Sequence, residues 1–327
     1  MNEYTDAASR PGRKVGGTDD RELFLVEFGG LVLEAYRQAL DYMEMRWIKQ
    51  ITQGKSDTFP IIGRKDDATE HVPGDRILGG TIDHGQVEIT LDNMLVDSAF
   101  VPEIDELIAH YALMGPYATQ IGQSLGITTS KRIAIMHILA SRNFVTNDRP
   151  GQPVPAYYFH ANLKTDASKL EDAAFLAKGY LLKNDVENAH SFMLPWQQVL
   201  LMARYTGIEG GPVTTGSGNR AAGTIGQVAG FVPKGTNHIP NTNITTGLAK
   251  YRGDFTPTVG HIGSKMAVGS LERRGLKVVM KEQEDRLGTI LIGSQFSGHG
   301  ALRNECSVEL RTTAIGGRDD LATLAAA

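Results

Sequence analysis

The chain has 327 residues, 41% of them hydrophobic and 21% charged, enough for one large domain or two ordinary ones with a sizeable core. A formal net charge of -4 excludes the clustered basic excess of a protein whose main task is to coat phosphates. The 37 glycines, spread along the chain, point to many turns and close backbone approaches, and the one cysteine, Cys306, excludes an intrachain disulfide and a multi-cysteine zinc site.

In chain order, Met1 to Thr18 is polar with almost no apolar residue, which predicts an arm that orders only against something else. The stretch to Asp20 lacks the apolar core of a secretory signal, and no run of apolar residues is long enough to cross a membrane. The expectation is a protein made and kept in a cytosol, with no membrane contact. Residues 20–50 read as helix, with Leu23, Val26, Leu33, Tyr36, Leu40, Met43 and Trp47 at helical spacings, and Gly29 and Gly30 predict a break or bend within it.

The character then turns polar and Gly-rich. Phe59 to Gly63 (FPIIG) and Gln86 to Asp92 (QVEITLD) read as two strands, the second alternating Val87, Ile89 and Leu91 with Glu88, Thr90 and Asp92. Joined by more than twenty mostly polar residues, they make a long hairpin that cannot build its own core. It must lie on another surface, either a neighbouring subunit or the chain's own domain.

Val101 to Tyr111 predicts a short helix with Pro102 in its first turn, and Pro116 to about Ser141 a longer one in which Gly122 and Gly126 mark close backbone approach or a local misreading. Asn147 to Pro155 is the clearest linker. Ser168 with Glu171 forms a capping box opening a helix to about Lys183, and Pro195 to Tyr205 reads as another helix. Gly207 to Gly263 reads as short strands and loops, with further strands at Leu276 to Met280, Leu287 to Ile292 and Cys306 to Arg311, then a loose tail from Gly316. Helices and strands mix without regular alternation, so the class is α+β.

For chemistry the chain offers mostly absences. There is no phosphate-binding loop, nucleophile elbow, H-E-x-x-H or EF-hand sequence, and the Gly216, Gly218, Gly223 cluster lacks dinucleotide spacing. His110 and His137 read as packing histidines, Glu103, Asp105 and Glu106 as a helix N-terminal turn, Lys281 to Arg286 as a solvated turn and Cys306 as a buried thiol. Ser297 to Arg303 (SGHGALR) holds one His with no evident nucleophile. No catalytic, cofactor-binding or metal residue is assigned.

Three stretches carry more than composition: FGGLVLEAY (Phe28 to Tyr36), QGKSDTFPIIGR (Gln53 to Arg64) and ITLDNMLVDSAFVPEIDELIAHY (Ile89 to Tyr111). Their order closely resembles the major capsid proteins of short-tailed, coliphage-like podoviruses. In that family an F-G-G segment, S-G-K-S followed by F-P-x-x-G, and I-T-I-D with D-I-E and H-Y occur in the same sequence. YATQIGQSLG (Tyr117 to Gly126) looks like the family's spine-helix opening, and AVGS (Ala267 to Ser270) and GHGALRNE (Gly298 to Glu305) extend the resemblance. It is densest over residues 22–140, returns over 260–311 and is weak between Arg142 and His261.

The resemblance implies the tailed-phage capsid fold: an N-terminal arm (1–48), an extended β-hairpin loop (49–97), a peripheral domain with a long spine helix (98–150), an axial domain (151–275), returning peripheral strands (276–296) and a final axial strand with C-terminal tail (297–327). It further implies a virion protein, assembled in the host bacterial cytoplasm into hexamers and pentamers of an icosahedral head. Its implied partners are itself, a scaffolding protein, a portal, and packaged double-stranded DNA held without sequence specificity. The residues it places at contacts between subunits are Phe28, Trp47, Lys55, Phe59, Pro60, Ile61, Arg64, Arg76, Val87, Ile89 and Leu91. Lys55 also stands where some members of the wider fold form a lysine-asparagine crosslink, although this branch lacks such bonds. An encapsulin-like compartment shell and a cytosolic enzyme are the rival readings.

Overall fold

The computed structural model describes residues 21–62, 84–104, 114–142, 155–186, 190–204, 225–283, 285–316 and 318–324, with single positions between 70 and 82 and Gly223. The helices are α1 (Arg21–Ala39), α2 (Met114–Arg142), α3 (Ala167–Lys183), α4 (Trp196–Arg204) and α5 (Leu321–Leu324). The strands are β1 (Trp47–Gln50), β2 (Ser56–Ile62), β3 (His84–Thr90), β4 (Leu95–Pro102), β5 (Ala156–Phe159), β6 (His190–Leu194) and β7 (Pro233–Gly235). They continue as β8 (Asn243–Ile244), β9 (Gly253–Asp254), β10 (Thr258–Ser264), β11 (Val268–Gln283), β12 (Gly288–Ala301), β13 (Ser307–Arg311) and β14 (Asp319–Asp320).

The chain divides into two compact units. The first comprises residues through Leu40, Met94–Thr128 and Arg274–Gln295, and so holds α1, β4, the start of α2 and most of the β11–β12 ribbon. There β4 pairs antiparallel with β12, from Leu95 opposite Gln295 to Pro102 opposite Gly288. The helices cover the face on which Gly293 lies, since a Cβ at Gly293 would sit 2.6 Å from the Ile121 side chain. On that side the Gln295 amide donates to the Tyr36 hydroxyl of α1 at 3.0 Å.

The glycines of α2 explain themselves here. A Cβ at Gly122 would lie 2.4 Å from the Val32 carbonyl oxygen, and one at Gly126 would lie 2.8 Å from that of Tyr36, so α1 rests directly on the backbone of α2. The helical cost of two glycines is what this close packing requires.

The second unit comprises Asp41–Asn93, Thr129–Arg273 and the chain from Phe296 onward. Its centre is a six-stranded sheet in the order β14-β5-β13-β10-β6-β7. β10 runs antiparallel to both neighbours and is buried along its whole length, whereas β5 pairs parallel to β13, and β7 parallel to β6. β2 and β3 form a two-stranded hairpin, Ser56 opposite Thr90 to Ile62 opposite His84. β1 runs parallel to the first residues of β11, Trp47 opposite Gly269.

Several expectations fail for identifiable reasons. The helix expected to reach Gln50 ends at Ala39, because Trp47–Gln50 is taken up as a strand against β11. The break at Gly29 and Gly30 does not occur, and α1 runs unbroken through both. Val101 and Pro102 close strand β4, so the helix expected from Val101 begins only at Glu103. At α3 the N-cap is Asp166, whose carboxylate accepts the Ser168 N–H at 2.9 Å, so Ser168 sits inside the first turn and is not the cap. The strands expected at Leu276 to Met280 and Leu287 to Ile292 are fragments of the much longer β11 and β12.

A Gly126→Leu substitution should separate α1 from α2 and cost about 1–3 kcal/mol of subunit stability, read as a lower urea midpoint at unchanged m-value. An unchanged midpoint would show that the helices do not depend on this approach.

Candidate functional site

The hairpin is where the sequence reading placed most of its contact residues, and its root is built into the chain's own core. Ile51, Phe59, Ile89, Leu91, Leu271 and Leu302 form one buried cluster, with Val87 and Phe296 packed against it. The alternation in QVEITLD directs Ile89 inward, and β11 and β12 receive it at glycines: a Cβ at Gly269 would lie 2.7 Å from Ile89, and one at Gly300 would lie 3.0 Å away. Of the two supports open to the hairpin, the root uses the chain's own domain. Phe59, Ile89 and Leu91 are thereby committed to intramolecular packing, contrary to a role as free contact residues.

Polar groups pin the same root. The Asp92 carboxylate is buried and accepts from Arg132 at 3.2 Å and from the Tyr251 hydroxyl at 2.5 Å, and Lys250 pairs with its other oxygen. Burial first, and then the Asp92 charge, push the Tyr251 phenol far above its ordinary range. Lys250 also donates to the His299 carbonyl at 3.0 Å, and Arg46 pairs with Glu272 at 2.9 Å beside β1. These groups fix the direction in which the hairpin leaves the body.

The remaining predicted residues scatter. Trp47 on β1 is exposed, as are Lys55 and Pro60 at the hairpin and Arg76 beyond it. Val87 is half-buried at the core's margin. Phe28 lies in α1 and Ile61 in β2, while Arg64 lies outside the described residues, as do the arm through Asp20, Asp105, Glu106, His110 and most of the 147–155 linker.

Sequence reasoning missed a larger feature, the second face of the first unit's sheet. On β4 and β12 the residues turned away from the helices pair as Phe100 with Ile290, Ser98 with Ile292 and Val96 with Ser294. Arg274 of β11 reaches this face, donating to Ser294 Oγ at 2.9 Å, and the strand's alternation puts Leu276, Val278 and Met280 with it. Val96 is 57% and Phe100 39% exposed, and the other apolar residues of the face are half-buried. A sheet that meets water on one face normally shows polar residues there, so this face is built to be covered. The signal was the alternation in LVDSAFVP, to which no strand was assigned.

Titratable groups in the second unit are consumed by structure. Glu309 is fully buried between Arg142, which donates to both carboxylate oxygens at 2.6 and 2.8 Å, and Arg311 at 3.3 Å. His137 and His261 stack at 5.1 Å, Tyr42 stacks on His261 at 5.6 Å, and His137 Nε2 lies 2.7 Å from the Met45 carbonyl. Burial holds His137 at about 4 and His261 and His299 well below the ordinary imidazole range. His299, within the SGHGALR stretch, is strand residue and core, with Nδ1 2.7 Å from Ser270 Oγ. No group of three metal-ligating side chains occurs among the described residues.

A family model described as "Gp10A-like: Major capsid protein" matches residues 58–311. The chain belongs to this family of major capsid proteins. It is 31% identical over 115 residues to the major capsid protein of Escherichia phage T7, a stretch covering 35% of this chain and 33% of that one. The match thus spans about a third of the length of the curated relative. Among solved structures it resembles the capsid of Cyanophage P-SCSP1u, with 27% identity, a TM-score of 0.76, and 94% of this chain and 98% of that chain covered. The mature capsid of bacteriophage PhiM1 shares the fold at 15% identity and a TM-score of 0.70, over 84% of this chain and 87% of that one. The α+β architecture is that of the tailed-phage capsid proteins.

Two outcomes follow from the site. Ile89→Ala should destabilise the free subunit by about 2–5 kcal/mol in urea unfolding, whereas a residue serving only contacts between subunits would leave it unchanged. The three buried histidines are neutral when folded and take up protons when unfolded. Subunit stability is therefore intact above the ordinary imidazole value of 6.5 and lost as pH falls toward the depressed values. Each histidine contributes a slope of up to about 1.4 kcal/mol per pH unit in that window, and His261→Phe should remove one such contribution. An unchanged slope in the variant would contradict this.

Proposed function

We propose that this chain is the structural subunit of an icosahedral phage head, working by assembly with copies of itself and not by catalysis. The observation that carries the reading is the correspondence of almost the whole chain, end to end, with a phage capsid chain. The uncovered apolar face of the first unit's sheet supports it independently, because a subunit in a closed shell has neighbours to cover such a face.

In this reading residues 1–48 act as the arm, 49–97 as the extended loop, 98–150 and 276–296 as the peripheral domain, and 151–275 with 297–327 as the axial domain. The hairpin is rooted in its own subunit, and its outer part reaches over the peripheral domain of the next, where Val96 and Phe100 await a partner. A rigid root suits this role, since an arm held at one angle loses less entropy on docking than a loose one. The contact residues left for neighbours include the exposed Trp47, Lys55, Pro60 and Arg76, and the same role is assigned to Phe28, Ile61 and Arg64.

Hexamers and pentamers then close around double-stranded DNA held without sequence specificity, with a scaffolding protein and a portal as partners, inside the host cytoplasm. The net charge of -4 accords with an inner wall that does not grip phosphates. Each contact can be modest, because closure multiplies contacts and leaves no free edge.

Phe100→Glu tests the reading. The variant subunit should still fold cooperatively, its urea midpoint lowered only by the loss of the buried part of the ring, but its yield of closed particles should fall at least tenfold. Wild-type particle yield from a folded variant would remove the sheet face from the assembly.

A further inference from the structure

The six-stranded sheet of the second unit has two unlike ends. At the β7 end the ring of Trp196, the first residue of α4, lies so close to Gly235 that a Cβ there would sit 2.4 Å from the indole. Leu200 stands one helical turn along α4, and Val232 immediately precedes β7. Trp196, Leu200 and Val232 are 51%, 54% and 49% exposed, an apolar group at a sheet edge that no fold requirement explains. The charges beside it are mainly basic: Lys178 lies over the Phe231 ring at 5.2 Å, Lys234 is in β7, and Arg204 ends α4. Two carboxylates stand among them: Glu44, 3.8 Å from Lys234 with both side chains largely in water, and Asp41, which accepts from Thr236 Oγ1 at 2.5 Å and lies 2.9 Å from His238.

The β14–β5 end is acidic. Helix α3 crosses from there to the β7 end, and its start supplies Asp166, Glu171 and Asp172, beside Asp320 of β14. Lys169 pairs with Asp172 at 2.9 Å. The crowding is felt locally: burial and then the charges of Asp172, Asp320 and Asp166 push the Tyr158 phenol up to about 12, and burial and then Asp172 raise the Glu171 carboxyl.

We propose that the β7 end of one copy, carrying Trp196, Leu200, Val232, Lys178 and Lys234, docks head-to-tail on the acidic β14–β5 end of a second copy, forming the ring seam of the capsomer. This rests on the shell reading and gives it a contact surface. Opposite ends of one sheet with opposite charge make a heterologous contact, the kind that closes into rings when each copy is rotated against the last. β7 and β14 are too short for much backbone pairing, so the indole supplies the anchor and the charges set direction and register.

The experiment uses the full-length chain under conditions that yield wild-type particles, with yield read by sedimentation and electron microscopy and folding by urea midpoint. Trp196→Glu should lower particle yield at least tenfold. Because that variant alters packing on Gly235, two charge reversals accompany it, each pairing a half-buried side chain with an exposed one: K178E/K234E and E171K/D172K. Each should lower yield, and the two combined in one chain should restore it by reversing both ends together. Folded variants that all assemble at wild-type yield, or a combined chain no better than either reversal alone, would overturn the seam while leaving the shell reading standing. Failure of the wild-type chain itself to form particles with its scaffold supplied would overturn the shell reading and the seam with it.

Discussion

Everything distinctive about this molecule depends on the packing of one isoleucine onto backbone. Ile89 of the hairpin enters the core where Gly269 and Gly300 leave room for it, and beside it a Cβ at Gly298 would collide with the Thr90 carbonyl oxygen at 2.3 Å. An isolated hairpin is marginal in water, so this root converts a floppy ribbon into a lever with a defined angle. The buried Asp92, held by Arg132, Tyr251 and Lys250, adds direction to what the apolar contact adds in stability. A subunit that must meet copies of itself in a fixed geometry needs that stiffness before assembly begins, because disorder left in the arm would be lost at every contact.

The same economy of close approach recurs. Gly122 and Gly126 let α1 rest on α2, and Gly260 and Gly263 sit in β10, where β6 and β13 approach from both sides. Several of the described glycines therefore serve close backbone approach and not turns. Charges inside the second unit follow a matching rule, each buried carboxylate such as Glu309 or Asp92 being met by guanidinium, ammonium or hydroxyl donors. The histidines are the exception: among the described residues His261 is buried against aromatic rings without a hydrogen-bond partner for either nitrogen, which makes it a fixed neutral group and one of the molecule's acid-sensitive points.

Much of this was legible in the sequence where one physical signal dominated. The helical period over Pro116 to Ser141 gave α2, and the two-residue alternation of QVEITLD gave β3 and its inward face. The readings failed where tertiary contacts outvote local pattern. TVGHIGS, with two glycines in seven residues, falls in a stretch read only as short strands and loops, yet as β10 it is central and buried on both sides, where small residues are what the neighbours demand. Met43 and Trp47 continue a helical period that the chain abandons, and Trp47 pairs with β11 instead. The uncovered sheet face was hidden for a different reason: strands β4, β11 and β12 come from distant parts of the chain, and only their register brings Val96, Phe100, Ile290 and Ile292 to one side.

Assembly is the account's central claim, and mass tests it most directly. Sedimentation of the purified chain with the scaffolding protein proposed for it, with the fast fraction viewed by negative-stain electron microscopy, should give closed icosahedral shells or rings of five and six subunits. A homogeneous small species that persists with scaffold present would contradict the account.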